Sequence, residues 1–244
     1  MLKVIDSAVP VECWSCAVAH NESTLFCPHC SKIQPATAGD YFSVFSLVPK
    51  LDLDLGMLEH QFHKLSRKLH PDRFARATAN EKEWSLADTA LLNDAYRTLR
   101  DPIRRTEYLL KLQGAEIGEE HAGRDRRDPS RVPADLLEEA FDLNMQLEEM
   151  RMSKKMGDGD PELHSSDEDL SPGTLELQSS LEQAKRKFSD MLDNVDQDLR
   201  AQWQLWDKGD EGTRKESEKK MVSLLDRRRY INNLVRDVTE TLAT

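Results

Sequence analysis

Pro71 constrains this chain more than any other residue, because it stands between two amphipathic stripes. Upstream, Leu58, Phe62, Leu65 and Leu69 recur at intervals of four, three and four, the period of one apolar helix face. His60, Lys64, Arg67 and Lys68 project from the other side. Proline drives the preceding residue out of helical dihedrals, so a helix from about Met57 ends at Leu69. His70-Pro71-Asp72 then forms an exposed turn at the end of a basic face. Downstream, a second helix is expected from Thr78 to Leu99, with Trp84, Ala87, Leu91 and Ala95 on one stripe flanked by Leu92, Tyr96 and Leu99. Two such helices joined by a turn of roughly eight residues make an antiparallel hairpin. Alone, a His-Pro-Asp tripeptide reads as an ordinary helix stop.

The surroundings extend the pattern. Asp40 suits the N-cap of a short apolar helix at Tyr41–Leu47. Pro49 and the segment 51–56 read as a connector. Pro102 fits the first turn of a further helix running to Leu110.

Charged residues make up 32% of the 244 and aromatics 6%, which favours helix over sheet. The formal charge of −11 makes nucleic acid and anionic membrane unexpected partners. No apolar run approaches the roughly 20 residues of a membrane span. Residues 1–12 are neither Arg-rich nor a secretory segment, so either no targeting segment exists or a cleaved one precedes this numbering. No Gly-rich phosphate loop is present.

All four cysteines lie in two pairs, Cys13/Cys16 and Cys27/Cys30, separated by ten residues. Each Cys-x-x-Cys places two thiolates on one side of a tight turn, and two such turns give the tetrahedral sulfur set that zinc prefers. Disulfides would need an oxidising compartment that no signal supports. A redox motif would sit in a βαβ pattern, which is absent. Four-thiolate iron remains chemically open. The intervening loop offers no hydrophobic core of its own, so metal is expected to supply most of its folding energy. His20 and His29 are expected to be bystanders. A structural zinc cap is the expected role.

Tyr41–Leu47, the basic helix, His70-Pro71-Asp72, Leu92-Asn-Asp-Ala-Tyr96-Arg-Thr-Leu99 and Asp101-Pro102 together resemble a J-domain. The run from Asn93 to Leu110 narrows this to the HscB (Jac-type) co-chaperones of iron–sulfur cluster biogenesis, whose eukaryotic members can carry a four-cysteine module in front. The resemblance is strong over 40–112 and weaker beyond. It implies that His70, Pro71 and Asp72, with Lys64, Arg67 and Lys68 beside them, contact a DnaK-type chaperone ATPase and stimulate its ATP hydrolysis. A row of cations is suited to steering toward an acidic surface.

Residues 113–133 read as a linker. A helix at 134–151 carries a main stripe of Leu136, Ala140, Leu143, Leu147 and Met150, and a second apolar line of Leu137, Phe141 and Met145 flanked by Glu138, Asp142 and Glu149. Periodicity leaves open whether the second line is buried or faces a partner. The resemblance implies the latter, with an IscU-type scaffold protein as the partner and Tyr230 at the same interface. Residues 157–173 read as a flexible insertion. A seam then runs from Leu177 through Leu181, Ala184, Phe188, Met191, Val195, Leu199 and Trp203 to Trp206. Lys208–Gly212 turns the chain back, and Met221, Leu224, Ile231, Val235, Val238 and Leu242 are expected to point inward on the last helix.

The expected architecture is all-α: a zinc module at 1–39, a J-domain hairpin at 40–112, and a three-helix bundle at 134–244. The expected role is a non-enzymatic co-chaperone that delivers the scaffold to the DnaK-type ATPase. The resemblance implies a mitochondrial location, with the cytoplasm as alternative. A general J-protein with a client-binding or dimerising bundle is the rival. A metalloenzyme fits poorly, since four thiolates leave no open coordination position.

Overall fold

The computed structural model describes residues 11–20, 24–35, 40–117, 133–157 and 172–243. The chain forms two compact units, one of Met1–Ile117 with Trp203–Glu218, the other of Gly118–Gln202 with Lys219–Thr244. Among the described residues the regular elements are helices, apart from one two-stranded sheet and an isolated Phe26–Ile33 bridge.

In the first unit, β1 (Val11–Glu12) pairs antiparallel with β2 (Ala19–His20) beside the cysteines. Helix α1 (Tyr41–Val44) is capped as expected, Phe42 N and Ser43 N donating to Asp40 Oδ1 at 2.8 and 3.0 Å. Helix α2 (Leu55–Leu69) begins two residues earlier than periodicity suggests, because Asp54 accepts the Met57 N–H and fixes the start. A 3-10 turn (Pro71–Phe74) leads to α3 (Ala79–Arg100), and α4 (Pro102–Leu112) follows, capped by Asp101. Helices α2 and α3 form the expected hairpin, with Phe62 and Tyr96 stacked at 4.1 Å.

The inward face of α3 differs from the expected stripe. Glu81, Ser85, Asp88, Leu92, Ala95 and Leu99 are buried, while Ala87 is exposed and Trp84 and Leu91 only half-buried. Three polar residues, Glu81, Ser85 and Asp88, occupy inward positions, and a stripe drawn through apolar residues alone is rotated off them.

The end of α6 (Pro172–Lys208) and the start of α7 (Glu211–Ala243) belong to this unit. Asp207 accepts the N–H groups of Leu51 and Asp52, each at 2.9 Å. The buried Arg105 donates to the carbonyls of Leu51 and Leu99 and lies 5.9 Å from the Trp203 ring. The α6–α7 turn needs only two residues. At Gly209 a Cβ would stand 2.5 Å from the Leu205 carbonyl oxygen, so glycine is required. Asp210 caps α7 through Thr213 N.

In the second unit, a 3-10 turn (Ala134–Leu136) opens α5 (Leu137–Gly157), which continues past the expected end at 151. It packs with α6 and α7 as a three-helix bundle, tied by Lys187–Glu139, Arg227–Asp135 at 2.8 Å and a two-point Arg228–Asp196 pair. The seam of α6 is as expected at Leu181, Phe188, Val195 and Leu199, with Leu177, Ala184 and Met191 at its half-buried edge. On α7 the buried residues of this unit are Met221, Leu225, Ile231, Leu234, Val238 and Thr241. Leu224, Val235 and Leu242, expected inward, are only half-buried. The helix turns its adjacent Leu225 and Leu234 to the core instead. Most of the expected linker (118–132) and insertion (158–171) lies outside the described residues.

Candidate functional site

The four cysteines converge. Their sulfurs all lie within 4.8 Å of one another, with Cys13–Cys30 at 3.6 Å and Cys16–Cys27 at 3.7 Å. A tetrahedron with metal–sulfur bonds near 2.3 Å has edges of about 3.8 Å, so the set is the right size for one metal ion. Two matching knuckles build it. Cys13 O accepts Ala17 N and Cys27 O accepts Ser31 N, both at 2.9 Å. Ala17 and Ser31 each turn with φ of 58°. Cys13 N then donates to Val18 O, and Cys27 N to Lys32 O.

The donor chemistry also fits a cation. Desolvation opposes ionisation of Cys13, but the amides of Cys16 and Ser15 and the neighbouring thiols bring it down to about 6. The Val18 amide favours a thiolate at Cys16, but desolvation and the sulfurs of Cys13, Cys30 and Cys27 push it up to about 12. Four adjacent sulfurs shed all their protons only when a cation compensates the charge.

His20 and His29 stay outside the sulfur set. His20 is buried and bonds Gln34 Oε1 at 3.1 Å. Contrary to expectation, the module has apolar packing of its own: Leu25 and Ile33 are buried, and Trp14 Nε1 donates to Ile33 O at 2.7 Å. Trp14 also meets Trp84 of α3 with ring centroids 5.7 Å apart.

The turn at the tip of the hairpin is open. His70 leaves the helix with ψ of 129°, as the proline requires. Its side chain is 60% exposed and that of Asp72 91%. Asp72 N donates to His70 Nδ1 at 3.3 Å, and the same nitrogen lies 3.5 Å from Asp72 Oδ2. Lys64, Arg67 and Lys68 are all exposed on α2. Arg67 Nε bonds His63 O, and Lys68 Nζ sits 5.5 Å over the Phe26 ring.

Behind the turn stand residues that periodicity does not single out. Thr78 and Glu81 form a capping box at the start of α3. Its signature, Thr-x-x-Glu, is readable in the sequence. Ser85 Oγ donates to Leu69 O at 2.7 Å.

A third surface lies on α5. Leu136, Ala140, Leu143, Leu147 and Met150 are buried, while Leu137, Phe141 and Met145 are 51%, 63% and 57% exposed. Glu138, Asp142 and Glu149 are exposed beside them. Met152, also exposed, extends the line. Tyr230 is half-buried on α7, and burial pushes its phenol up. Arg227, three residues earlier and so on the same helix face, pairs with Asp135 just before α5.

The structure has a helical hairpin tipped by His-Pro-Asp, with a helical bundle after it and a four-cysteine module before it, the arrangement that the resemblance to the J-domain class implies. Within that class, the resemblance to the HscB co-chaperones holds. No family model matches the chain. The iron–sulfur cluster co-chaperone protein HscB of Mus musculus is 36% identical over 135 residues, 54% of this chain and 56% of that protein. The Homo sapiens protein of the same name is 34% identical over 148 residues, 59% of this chain and 60% of that protein. The co-chaperone HscB homologue of Shewanella halifaxensis is 44% identical over 81 residues, covering 33% and 47%. The chain thus spans about half the length of the curated relatives it matches. The crystal structure of human HscB shares the fold, with a TM-score of 0.56 over 94% of this chain and 98% of that one at 24% identity. HscB from Vibrio cholerae gives 0.52 over 83% and 96% at 25% identity. Among the described residues no helix is long and apolar enough to cross a membrane.

Proposed function

We propose that this chain is an HscB-type co-chaperone that stimulates ATP hydrolysis by a DnaK-type chaperone and presents an IscU-type iron–sulfur scaffold protein to it. The observation that carries the reading is the exposed His70-Pro71-Asp72 turn at the end of a basic helix, in a chain similar to proteins named as iron–sulfur co-chaperones. Lys64, Arg67 and Lys68 steer the hairpin onto an acidic face of the chaperone. Asp72 and His70 then make the short directional hydrogen bonds that fix its register. The nucleotide chemistry belongs to the chaperone. This chain contributes recognition and no reacting group.

The scaffold docks on the second apolar line of α5. Phe141 is the anchor, Leu137 and Met145 flank it, Glu138, Asp142 and Glu149 form the charged rim, and Tyr230 lies at the same interface. An apolar strip rimmed by charge is the usual anatomy of a protein-binding patch. Cys13, Cys16, Cys27 and Cys30 hold one structural zinc, which supplies a tetrahedral cross-link between the two knuckles. The domains are then the zinc module at 1–39, the J-domain at 40–112 and the scaffold-binding helices within 134–244. The mitochondrion is the proposed location, as the family resemblance implies.

The test is single-turnover ATP hydrolysis by a DnaK-type chaperone, alone, with this chain, and with chain and scaffold together. Stimulation by the chain, raised further by the scaffold, is expected. Stimulation indifferent to the scaffold would favour a general J-protein, and no stimulation would overturn the reading.

A further inference from the structure

We propose that the four-cysteine module is a brace for the His70-Pro71-Asp72 turn, with Lys32, Phe26 and Trp14 as its positioning residues. The inference rests on the functional reading only for the consequence it assigns to the turn. The brace itself is a statement about this chain alone.

The module grips both flanks of the turn. On the α2 side, Phe26, immediately before Cys27, lies under the Lys68 ammonium at 5.5 Å, and Lys68 is two residues from His70. On the α3 side, Lys32, two residues after Cys30, reaches Glu81 Oε1 at 3.1 Å. The other carboxylate oxygen, Glu81 Oε2, accepts Thr78 N at 3.0 Å and Thr78 Oγ1 at 2.9 Å. Thr78 closes the turn and caps α3. One carboxylate therefore links the metal-type knuckle to the last residue of the turn. One helical turn on, Trp84 meets Trp14, and the Lys32 ammonium is also 5.8 Å from the Trp14 ring.

The linkage is stiff at each joint. The Lys32 carbonyl is held by Cys27 N at 2.8 Å, so the backbone carrying the lysine is part of the second knuckle. Glu81 is only 6% exposed, and its carboxyl is held below the usual range by the Thr78 backbone N–H first and then the Thr78 hydroxyl, with Lys32 adding to this against the desolvation of burial. A charged, enclosed carboxylate with all its partners named has few other places to go. Phe26 and Lys32 flank the Cys27/Cys30 pair in sequence, so the geometry of that knuckle is transmitted to both ends of the turn at once. The turn lacks such support within itself: His70, Pro71, Asp72 and Arg73 are all exposed, and its backbone bonds are Arg73 N to His70 O, Ala75 N to Asp72 O and Ala77 N to Phe74 O.

The test uses the full chain carrying Lys32→Met, with Lys32→Arg as the conservative rescue. Amide hydrogen exchange at Thr78, Glu81 and Lys82 reads the brace without any chaperone, and elemental analysis confirms that the metal content is unchanged. Lys32→Met is expected to exchange several-fold faster at these amides and Lys32→Arg to restore protection, with ATPase stimulation falling and recovering in step. Unchanged exchange in Lys32→Met overturns the brace. His70→Gln separates the two ideas. If that variant still stimulates fully, the functional reading fails, while faster exchange in Lys32→Met upholds the brace.

Discussion

Ser85 Oγ donates to the carbonyl of Leu69 at 2.7 Å, across 16 residues of sequence. That carbonyl is the last acceptor of α2 before the turn, and Arg73 N, its ordinary helical partner, bonds His70 O instead. A helix end leaves such carbonyls without intrahelical partners, and here the neighbouring helix supplies the donor. Ser85→Ala is expected to cost about 1–2 kcal/mol by leaving a buried carbonyl unpaired. Urea unfolding of wild type and variant checks this, and indistinguishable midpoints would show that the bond contributes nothing.

Asp88 carries a different cost. It is fully enclosed, neither carboxylate oxygen has a hydrogen-bond partner, and burial pushes it up to about 7. The folded pKa lies above the ordinary 3.8, so the folded state holds the extra proton. This group therefore destabilises the fold increasingly as pH rises from about 4, and fully above about pH 7. At 1.36 kcal/mol per pKa unit, the full penalty is on the order of 4 kcal/mol. Asp88→Asn should be more stable than wild type at pH 8 and closely similar at pH 4.5. Parallel stability curves across that range would contradict the assignment.

The cysteines predict a stoichiometry. One zinc per chain is expected by elemental analysis, and Cys27→Ser should lose it. Helix content should hardly change, because the hairpin has its own core of Leu58, Leu69, Leu92 and Leu99. The Trp14–Trp84 contact should be disturbed and shift the tryptophan fluorescence. A variant that retains a full equivalent of metal would remove Cys27 from the ligand set.

The two faces of α5 should respond in opposite ways. Phe141→Ala is expected to weaken calorimetric affinity for the scaffold at least tenfold, about 2 kcal/mol for a central aromatic anchor, and to leave the melting temperature nearly unchanged. Leu143→Ala, at a position only 2% exposed, should cost about 2–5 kcal/mol of stability. A collapsed bundle in Phe141→Ala, or full affinity, would place the patch elsewhere.

What the sequence shows and what it hides follow from range. The Leu137, Phe141 and Met145 line was legible as an apolar line because its period is local, but its exposure was not, since period alone does not say whether a second apolar line is buried. The inward face of α7 was not, since Leu224 and Leu225 are adjacent and equally apolar, and period alone does not choose between them. Asp88 defies residue type, as a carboxylate is rarely enclosed without a partner. The Lys32–Glu81 pair spans 49 residues and depends on how the module sits on α3, which no local pattern encodes. The four-thiolate set was legible because ligand spacing is itself the signal.

The proposed role depends on the exposed His70-Pro71-Asp72 turn as the part of this chain that triggers the chaperone. It is tested most directly by single-turnover ATP hydrolysis on a DnaK-type chaperone with wild-type chain and with His70→Gln at matched concentration, alongside thermal melts of both. A strong increase in rate is expected with wild type, none with His70→Gln, and superimposable melts. Equal stimulation by the two proteins would contradict it.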